Sequence, residues 1–236
     1  TLGILIVSGH NVMDGLSMTE DSPFYLVWAV LYQREVIDFN FFMIRTSYPI
    51  LPWVGVIALG FVAGPWFSSD TSPDKRQKKM LTVGAIGLFS FVIIRFLNIY
   101  GDAPWINTSE FSTTLMSFLS LTKYPSSFLF NLSMLSLGLV FLCLLEKYGS
   151  HKFTRVVSQF GAAPLFFYAL HLAVLKLIYV IAFAIYGPSD GIYLAFPSVG
   201  YIWGASLVLV FVLYFPTRWF AGFKQANKRI SWLKYF

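Results

Sequence analysis

The chain has 236 residues, of which 57% are hydrophobic, 19% are aromatic and only 12% are charged. Soluble proteins carry about 25% charged residues, so this composition excludes an ordinary soluble domain, which needs more polar groups on its surface. The net charge of +6 does not indicate nucleic-acid binding, because the basic residues stand at the ends of apolar runs, as in membrane proteins.

The chain begins within an apolar run, from Leu2 to Val7, that is too short to cross a bilayer. A crossing helix needs about 20 residues, and a signal peptide would show basic residues first and a small-residue cleavage site afterwards. We therefore expect the end of a truncated helix here. On this interpretation residues 1–236 form a single membrane domain, the C-terminal portion of a longer protein.

Five long apolar runs follow in chain order. The predicted spans are residues 47–67, 80–100, 127–145, 163–186 and 201–220. Each run is continuously apolar over about 20 residues, which favours helices over the alternating strands of a barrel. The sequence therefore predicts an all-α fold, a polytopic membrane helical bundle with about five full transmembrane helices plus the truncated one.

The basic residues indicate which way the spans face. Twelve of the 17 follow the first, third and fifth predicted spans. Because Lys and Arg mark the cytoplasmic face, we expect a cytoplasmic C-terminal tail, Phe220–Phe236. The outer loops would then be residues 9–46, 101–126 and 187–200. Within the first of them, Pro23 to Tyr32 is apolar but too short to span, so it is interfacial or re-entrant.

Arg95 and His171 are among the polar residues inside predicted spans, and each needs a physical reason, since burying such residues in lipid is costly. Arg95 stands near the end of the second span, where it can snorkel, make a structural pair or bind an anionic group such as a phosphate. His171 lies in the middle third of the fourth span. A hydrogen-bonded structural role and a catalytic or ligand role are both open for it.

A polar cluster follows the first apolar run. An imidazole beside an amide and a carboxylate, as in His10, Asn11 and Asp14, can act as a general base with its orienting groups. His10 and Asp14 share a face if the helix continues. The alternative is a helix end that Asn11 or Gly15 terminates.

The sequence contains none of the usual signatures of a zinc site, a serine hydrolase or a nucleotide-binding loop. Its single cysteine, Cys143, also excludes a Cys-rich metal site, so no metal is predicted. The second span ends near Arg95 and the third begins soon after Lys123 and Tyr124. We therefore expect Arg95, Asp102, Lys123 and Tyr124 to cluster at the outer mouth.

Five strings, taken together, resemble one family. They are GHNVMDG (9–15), YPILPWVGV (48–56), RFLNIYGDAPW (95–105), LTKYPSS (121–127) and FGAAPLFFYALH (160–171). Their order and content resemble bacterial inner-membrane proteins that are grouped with the heparan-alpha-glucosaminide N-acetyltransferase catalytic domain, in the transmembrane acyltransferase superfamily. The resemblance runs from Ser8 to about Leu172.

The resemblance implies a protein of the cell inner (plasma) membrane. It implies transfer of an acyl group, typically acetyl, from acyl-CoA in the cytoplasm to a sugar amine or hydroxyl outside. The family's early motif of Arg and Asp residues has no match here. The role of the catalytic histidine in that early region is therefore not transferred to His10.

We therefore interpret the chain as a membrane acyltransferase-like protein in the lipid bilayer. The candidate catalytic residues are His10, Asp14 and His171, and the candidate substrate-binding residues are Asn11, Arg95, Asp102, Lys123 and Tyr124. His171 would line a polar cavity reached from the cytoplasm, while His10 and Asp14 would border the outer acceptor site. The alternatives are a non-catalytic membrane subunit, packed against partners in a larger complex, and a transporter.

Overall fold

The computed structural model describes residues 2–189 and 191–236. Apart from one short hairpin, the secondary structure of this part of the chain is helical. The chain divides into two compact units, Thr1–Lys147 and Tyr148–Phe236.

Six helices and the hairpin belong to the first unit. The helices are α1 (Leu2–Gly9), α2 (Tyr25–Leu31), α3 (Leu51–Ala63), α4 (Pro73–Leu97), α5 (Phe111–Leu119) and α6 (Phe128–Lys147). The antiparallel hairpin pairs β1 (Val36–Asp38) with β2 (Met43–Arg45), with Ile37 opposite Ile44. Short 3-10 turns extend α1 over His10–Met13 and α3 over Gly64–Phe67.

Three helices belong to the second unit: α7 (Lys152–Ala162), α8 (Pro164–Tyr186) and α9 (Val199–Ala226). A small core of Ala163, Phe220, Ala221 and Leu233 lies around the start of α8 and the end of α9. The Lys224 ammonium donates to the Ala162 carbonyl oxygen at 3.1 Å, which satisfies a free acceptor at the end of α7. The sequence predicts a connection between spans at α7, because the mixed polar and apolar composition of this segment is not typical of a membrane span.

The chain is an all-α membrane helical bundle, as predicted. In the described part, four helices are long and apolar enough to cross a membrane: α4, α6, α8 and α9. Most of their apolar side chains are exposed, as expected of helices whose solvent is lipid. Four of the five predicted spans therefore correspond to helices of sufficient length.

The predicted span over residues 47–67 is shorter than expected. The α-helix begins at Leu51 and ends at Ala63, and a 3-10 turn continues it to Phe67. Pro65 lacks a backbone N–H and its ring collides with the preceding turn, which destabilises a continuing α-helix and favours an end at this point. Apolar composition alone does not indicate where this helix ends. For this reason the sequence predicts five full spans.

Small residues let α4 approach α6 closely. A Cβ atom on Gly84 of α4 would lie 2.9 Å from the carbonyl oxygen of Ser136 in α6, and also 2.9 Å from a methyl carbon of Val140. Glycine is thus required for this crossing, a common device where helices pack in membranes. By contrast, Gly138 of α6 has no atom within 4 Å of such a Cβ.

These two glycines should respond in opposite directions to alanine. We expect Gly84→Ala to lower the free energy of unfolding by about 1–3 kcal/mol, because backbone must shift. We expect Gly138→Ala to raise it by about 0.5–1 kcal/mol through helix propensity. Thermal unfolding in detergent measures both, and equal effects of the two substitutions would contradict the close crossing.

Candidate functional site

An open polar cleft of about 670 Å³ lies in the first unit. Its walls come from four segments far apart in sequence, within residues 10–17, 32–35, 102–104 and 122–127. The first follows α1, the second follows α2, the third follows α4 and the fourth precedes α6. The cleft thus lies where the ends of several apolar helices meet polar connections.

His10 is held between two backbone carbonyls. Its side chain is only 2% exposed, with Nε2 2.8 Å from the Ser126 oxygen and Nδ1 3.1 Å from the Ile6 oxygen. Both carbonyls accept hydrogen bonds and neither donates, whereas a neutral imidazole has a single N–H. The shorter contact favours the tautomer that donates from Nε2. To act as a base in the cleft, the ring must turn one nitrogen away from the backbone.

Asn11 and Tyr32 hold the carboxylate of Asp14. Asn11 Nδ2 donates to Asp14 Oδ2 at 2.8 Å, and the Tyr32 hydroxyl donates to Asp14 Oδ1. Burial raises the pKa of Tyr32, and the hydrogen bond and charge of Asp14 raise it further, so this hydroxyl is a proton donor at neutral pH. His10 bonds Ile6 and Ser126 rather than Asp14, since residues 10–13 form a 3-10 turn and lose the i, i+4 alignment.

Asn11 also caps a distant helix. Its Oδ1 accepts a hydrogen bond of 2.7 Å from the backbone N–H of Phe128, the first residue of α6. This N–H has no partner within its own helix, so a side-chain acceptor stabilises it. Together with the contact from His10 to Ser126, this bond joins the end of α1 to the start of α6.

Asp102 belongs to another wall of the cleft. Its carboxylate accepts from Thr122 Oγ1 at 2.7 Å, Ser127 Oγ at 2.6 Å and Ala103 N at 2.7 Å, and also from Thr122 N at 3.0 Å. A carboxylate has about four acceptor positions, so these donors occupy them. Asp102 therefore joins the connection after α4 to the start of α6. Its predicted contact with a substrate would have to replace one of these bonds.

Arg95 contacts this wall through the Ala103 carbonyl and is only 2% exposed. Its guanidinium donates to four backbone carbonyls, which are those of Phe118, Ala103, Ser117 and Ser120, at 2.8–3.0 Å. Three of them stand at the C-terminal end of α5, where carbonyls lack helical partners and the helix dipole is negative. Arg95 thus caps α5 and does not line the cleft. Its predicted anion binding stays a prediction that requires these carbonyls to be released.

The structure brings most of the predicted site residues into one region. His10, Asn11, Asp14 and Asp102 line the cleft. Lys123 and Tyr124 stand between two lining residues, Thr122 and Pro125, and Arg95 contacts the residue after Asp102. These motifs, distant in sequence, therefore lie in one region of the fold. The clustering of Arg95, Asp102, Lys123 and Tyr124 at an outer mouth stays a prediction.

His171 belongs to α8 in the second unit, whereas the residues that line the cleft all belong to the first. His171 is half-buried, and its Nδ1 lies 3.2 Å from the Phe167 carbonyl oxygen of the same helix. Its ring stacks on Phe167 with centroids 5.6 Å apart. Both contacts are made within α8 itself. Its place in a cavity reached from the cytoplasm stays a prediction.

One wall of the cleft, residues 32–35, is not predicted from the sequence. Tyr32, Gln33, Arg34 and Glu35 all line it, directly after α2. The available signal was a run of three polar residues immediately after a short apolar segment. Such a change in composition is typical of a segment that leaves an interface for a polar site.

No group of three or more His, Cys, Asp or Glu side chains able to hold a metal ion was found among residues 2–189 and 191–236. Comparisons of the chain with family models, curated proteins and solved structures found no match.

Proposed function

We propose that this protein is a membrane acyltransferase whose polar cleft binds the acyl acceptor. One observation carries the proposal: three of the five strings that resemble the acyltransferase family supply walls of the same cleft. They are the strings at residues 9–15, 95–105 and 121–127. Strings that serve only the packing of separate spans would have no reason to meet around one polar cavity.

The acceptor that suits this cleft is a sugar. Its volume of about 670 Å³ falls in the range of small-molecule sites, about 300–1,000 Å³. Its walls offer carboxylates, an amide and hydroxyls, which are the groups that bind the hydroxyls of a sugar ring. Acyl-CoA is the proposed donor, by the resemblance alone, and would bind on the cytoplasmic side.

The proposed chemistry moves an acyl group from sulfur to oxygen or nitrogen. The acceptor's hydroxyl or amine attacks the thioester carbon of acyl-CoA, and the carbon–sulfur bond breaks. His10 takes the proton that the acceptor loses, Asp14 borders the acceptor, and coenzyme A leaves as the thiol after it gains a proton. His171 would line a polar cavity reached from the cytoplasm.

Acetyl transfer from labelled acetyl-CoA tests the proposal. The full-length protein, reconstituted in proteoliposomes, would be given glucose, glucosamine and a sugar-free control, with acetylated product identified by mass spectrometry. We expect product that depends on both the protein and the sugar. Absence of product with every acceptor, from protein that unfolds cooperatively, would reject acyl transfer.

The saturation of Arg95 and Asp102 by internal partners favours a second function, a non-catalytic membrane subunit of a larger complex. A bundle whose polar groups satisfy one another needs no ligand to be stable. Stable co-purification with partner proteins, together with no acetyl transfer, would support this alternative over the enzyme.

We further propose that the protein lies in the cell inner membrane with its C-terminal tail in the cytoplasm, on the evidence of the unequal basic loops. In a Cys143→Ser background, we expect Ser109→Cys to react with an impermeant maleimide on intact cells. We expect Ser231→Cys to react only after permeabilisation. Both positions are exposed, and the reverse labelling pattern would invert the topology.

A further inference from the structure

Two cationic side chains converge on one tyrosine ring beside the cleft. The Arg34 guanidinium carbon lies 5.7 Å from the centroid of the Tyr124 ring, and the Lys123 ammonium nitrogen lies 5.1 Å from it. Each distance suits a cation–π contact, and both cationic residues are exposed. The two charged groups can be no farther apart than the sum of these distances.

Neither cation has a carboxylate partner in the described ranges 2–189 and 191–236, where the ion pair within 4.0 Å joins Arg76 to Glu146. Glu35 follows Arg34 in sequence, but its Oε1 accepts a hydrogen bond of 2.5 Å from Gln33 Nε2. The positive charges of Arg34 and Lys123, held beside one ring, repel each other, most strongly at low salt. A bound anion would relieve the repulsion.

Hydroxyl groups complete the cluster. The hydroxyl oxygens of Tyr48 and Tyr124 lie 3.1 Å apart. The hydrogen bond from Tyr48 lowers the pKa of Tyr124, and the hydrogen bond and charge of Lys123 lower it further. The same hydrogen bond with Tyr124 raises the pKa of Lys123. The local field thus favours negative charge on an oxygen atom at this position.

This cluster stands at the rim of the cleft. Arg34 itself lines the cleft, and so do Thr122 and Pro125, the residues on either side of Lys123 and Tyr124. The carboxylates of Asp14 and Asp102 belong to the same cavity. A ligand with an anionic group and several hydroxyls would therefore bind with its anion towards Arg34 and its hydroxyls towards the carboxylates.

We propose that Arg34, Lys123 and the hydroxyls of Tyr48 and Tyr124 form an anion-binding subsite for a phosphate or carboxylate group. The guanidinium fork of Arg34 can donate two parallel hydrogen bonds to such a group, while Lys123 supplies a point charge. The assignment of this anion to the acyl acceptor rests on the proposed function, but the binding itself does not.

Binding of glucose 1-phosphate tests the subsite without turnover. We expect calorimetric titration of protein in phosphatidylcholine nanodiscs to give at least about tenfold tighter binding for glucose 1-phosphate than for glucose. Arg34→Gln and Lys123→Gln should each weaken glucose 1-phosphate about tenfold, as expected for loss of one charged hydrogen bond. Lys75→Gln, an exposed substitution in the first turn of α4, should leave the affinity unchanged.

A lipid headgroup also carries a phosphate, so a second experiment distinguishes a bound lipid from a bound sugar phosphate. If the subsite holds a lipid, phosphatidylglycerol should stay bound to the wild type in native mass spectrometry. It should be lost from the Arg34→Gln/Lys123→Gln double variant, with no binding of glucose 1-phosphate. Either pattern supports the subsite.

Equal binding of glucose 1-phosphate and of phosphatidylglycerol by the wild type and the double variant would overturn the subsite. Thermal unfolding confirms that each variant is folded, and Arg34→Lys, which keeps the charge and loses the fork, should weaken binding less than Arg34→Gln. If the protein binds the anion but shows no acetyl transfer, the proposed enzyme activity is rejected and the proposed anion-binding subsite is still supported.

Discussion

Replacing Arg95 with alanine is expected to lower the free energy of unfolding by about 3–5 kcal/mol, because four backbone carbonyl oxygens lose the buried, charged donor that they share. Three of those carbonyls end α5, which has no basic side chain of its own in its last turn. The helix and the connection that follows it should therefore loosen first. Thermal and denaturant unfolding in detergent measure the loss, and hydrogen exchange locates it.

Two further variants isolate the cause of this effect. Lys79→Ala removes an exposed cation from the same helix and should change stability by less than about 0.5 kcal/mol. Arg95→Lys keeps the charge but offers three donors from a single atom, so it should recover only part of the loss. If Arg95→Ala unfolds like the wild type, the cap does not stabilise α5.

Replacing His10 with alanine in the full-length protein is expected to lower acetyl transfer at least about 100-fold, typical of the loss of an acid–base group, with normal membrane insertion. Alanine also removes the hydrogen bond that joins His10 to Ser126, so the substitution alone does not separate chemistry from structure.

His10→Gln makes that separation. A glutamine amide can donate to the Ser126 carbonyl but cannot take a proton near neutral pH. A catalytic histidine therefore predicts that both variants lose activity, whereas a structural one predicts that His10→Gln retains it. His171→Ala belongs in the same assay, since its role in the path of the acyl group is a separate hypothesis. Full activity in His10→Ala and His171→Ala would reject both roles.

The cleft shows which features of a site a local sequence pattern can predict and which it cannot. The cluster of His10, Asn11 and Asp14 was visible in sequence, because these residue types in this order suit either a helix end or a base with its orienting groups. In the structure Asn11 does cap a helix, but that helix is α6, more than a hundred residues away. No local pattern encodes the partner of a cap that acts between distant segments.

Arg95 makes the same point for buried charge. The sequence allowed three explanations for an arginine near the end of an apolar span, which were snorkelling, a structural pair and a bound anion. Its described partners are backbone carbonyls of α5 and of the connection before it. The sequence shows that a buried guanidinium requires hydrogen-bond acceptors. It does not show which backbone carbonyls lie within hydrogen-bond distance after folding.

The sequence by itself determined that this is a membrane helical bundle, because continuous apolar runs of bilayer length have one favourable structure in lipid and follow directly from composition. It also identified four of the polar residues that line the cleft, which are His10, Asn11, Asp14 and Asp102. Only the tertiary structure decided that residues 32–35 form a wall of the cleft and that Asp102 joins the start of α6. These features depend on helix crossings and on hydrogen bonds between remote segments, which packing selects and local sequence does not specify.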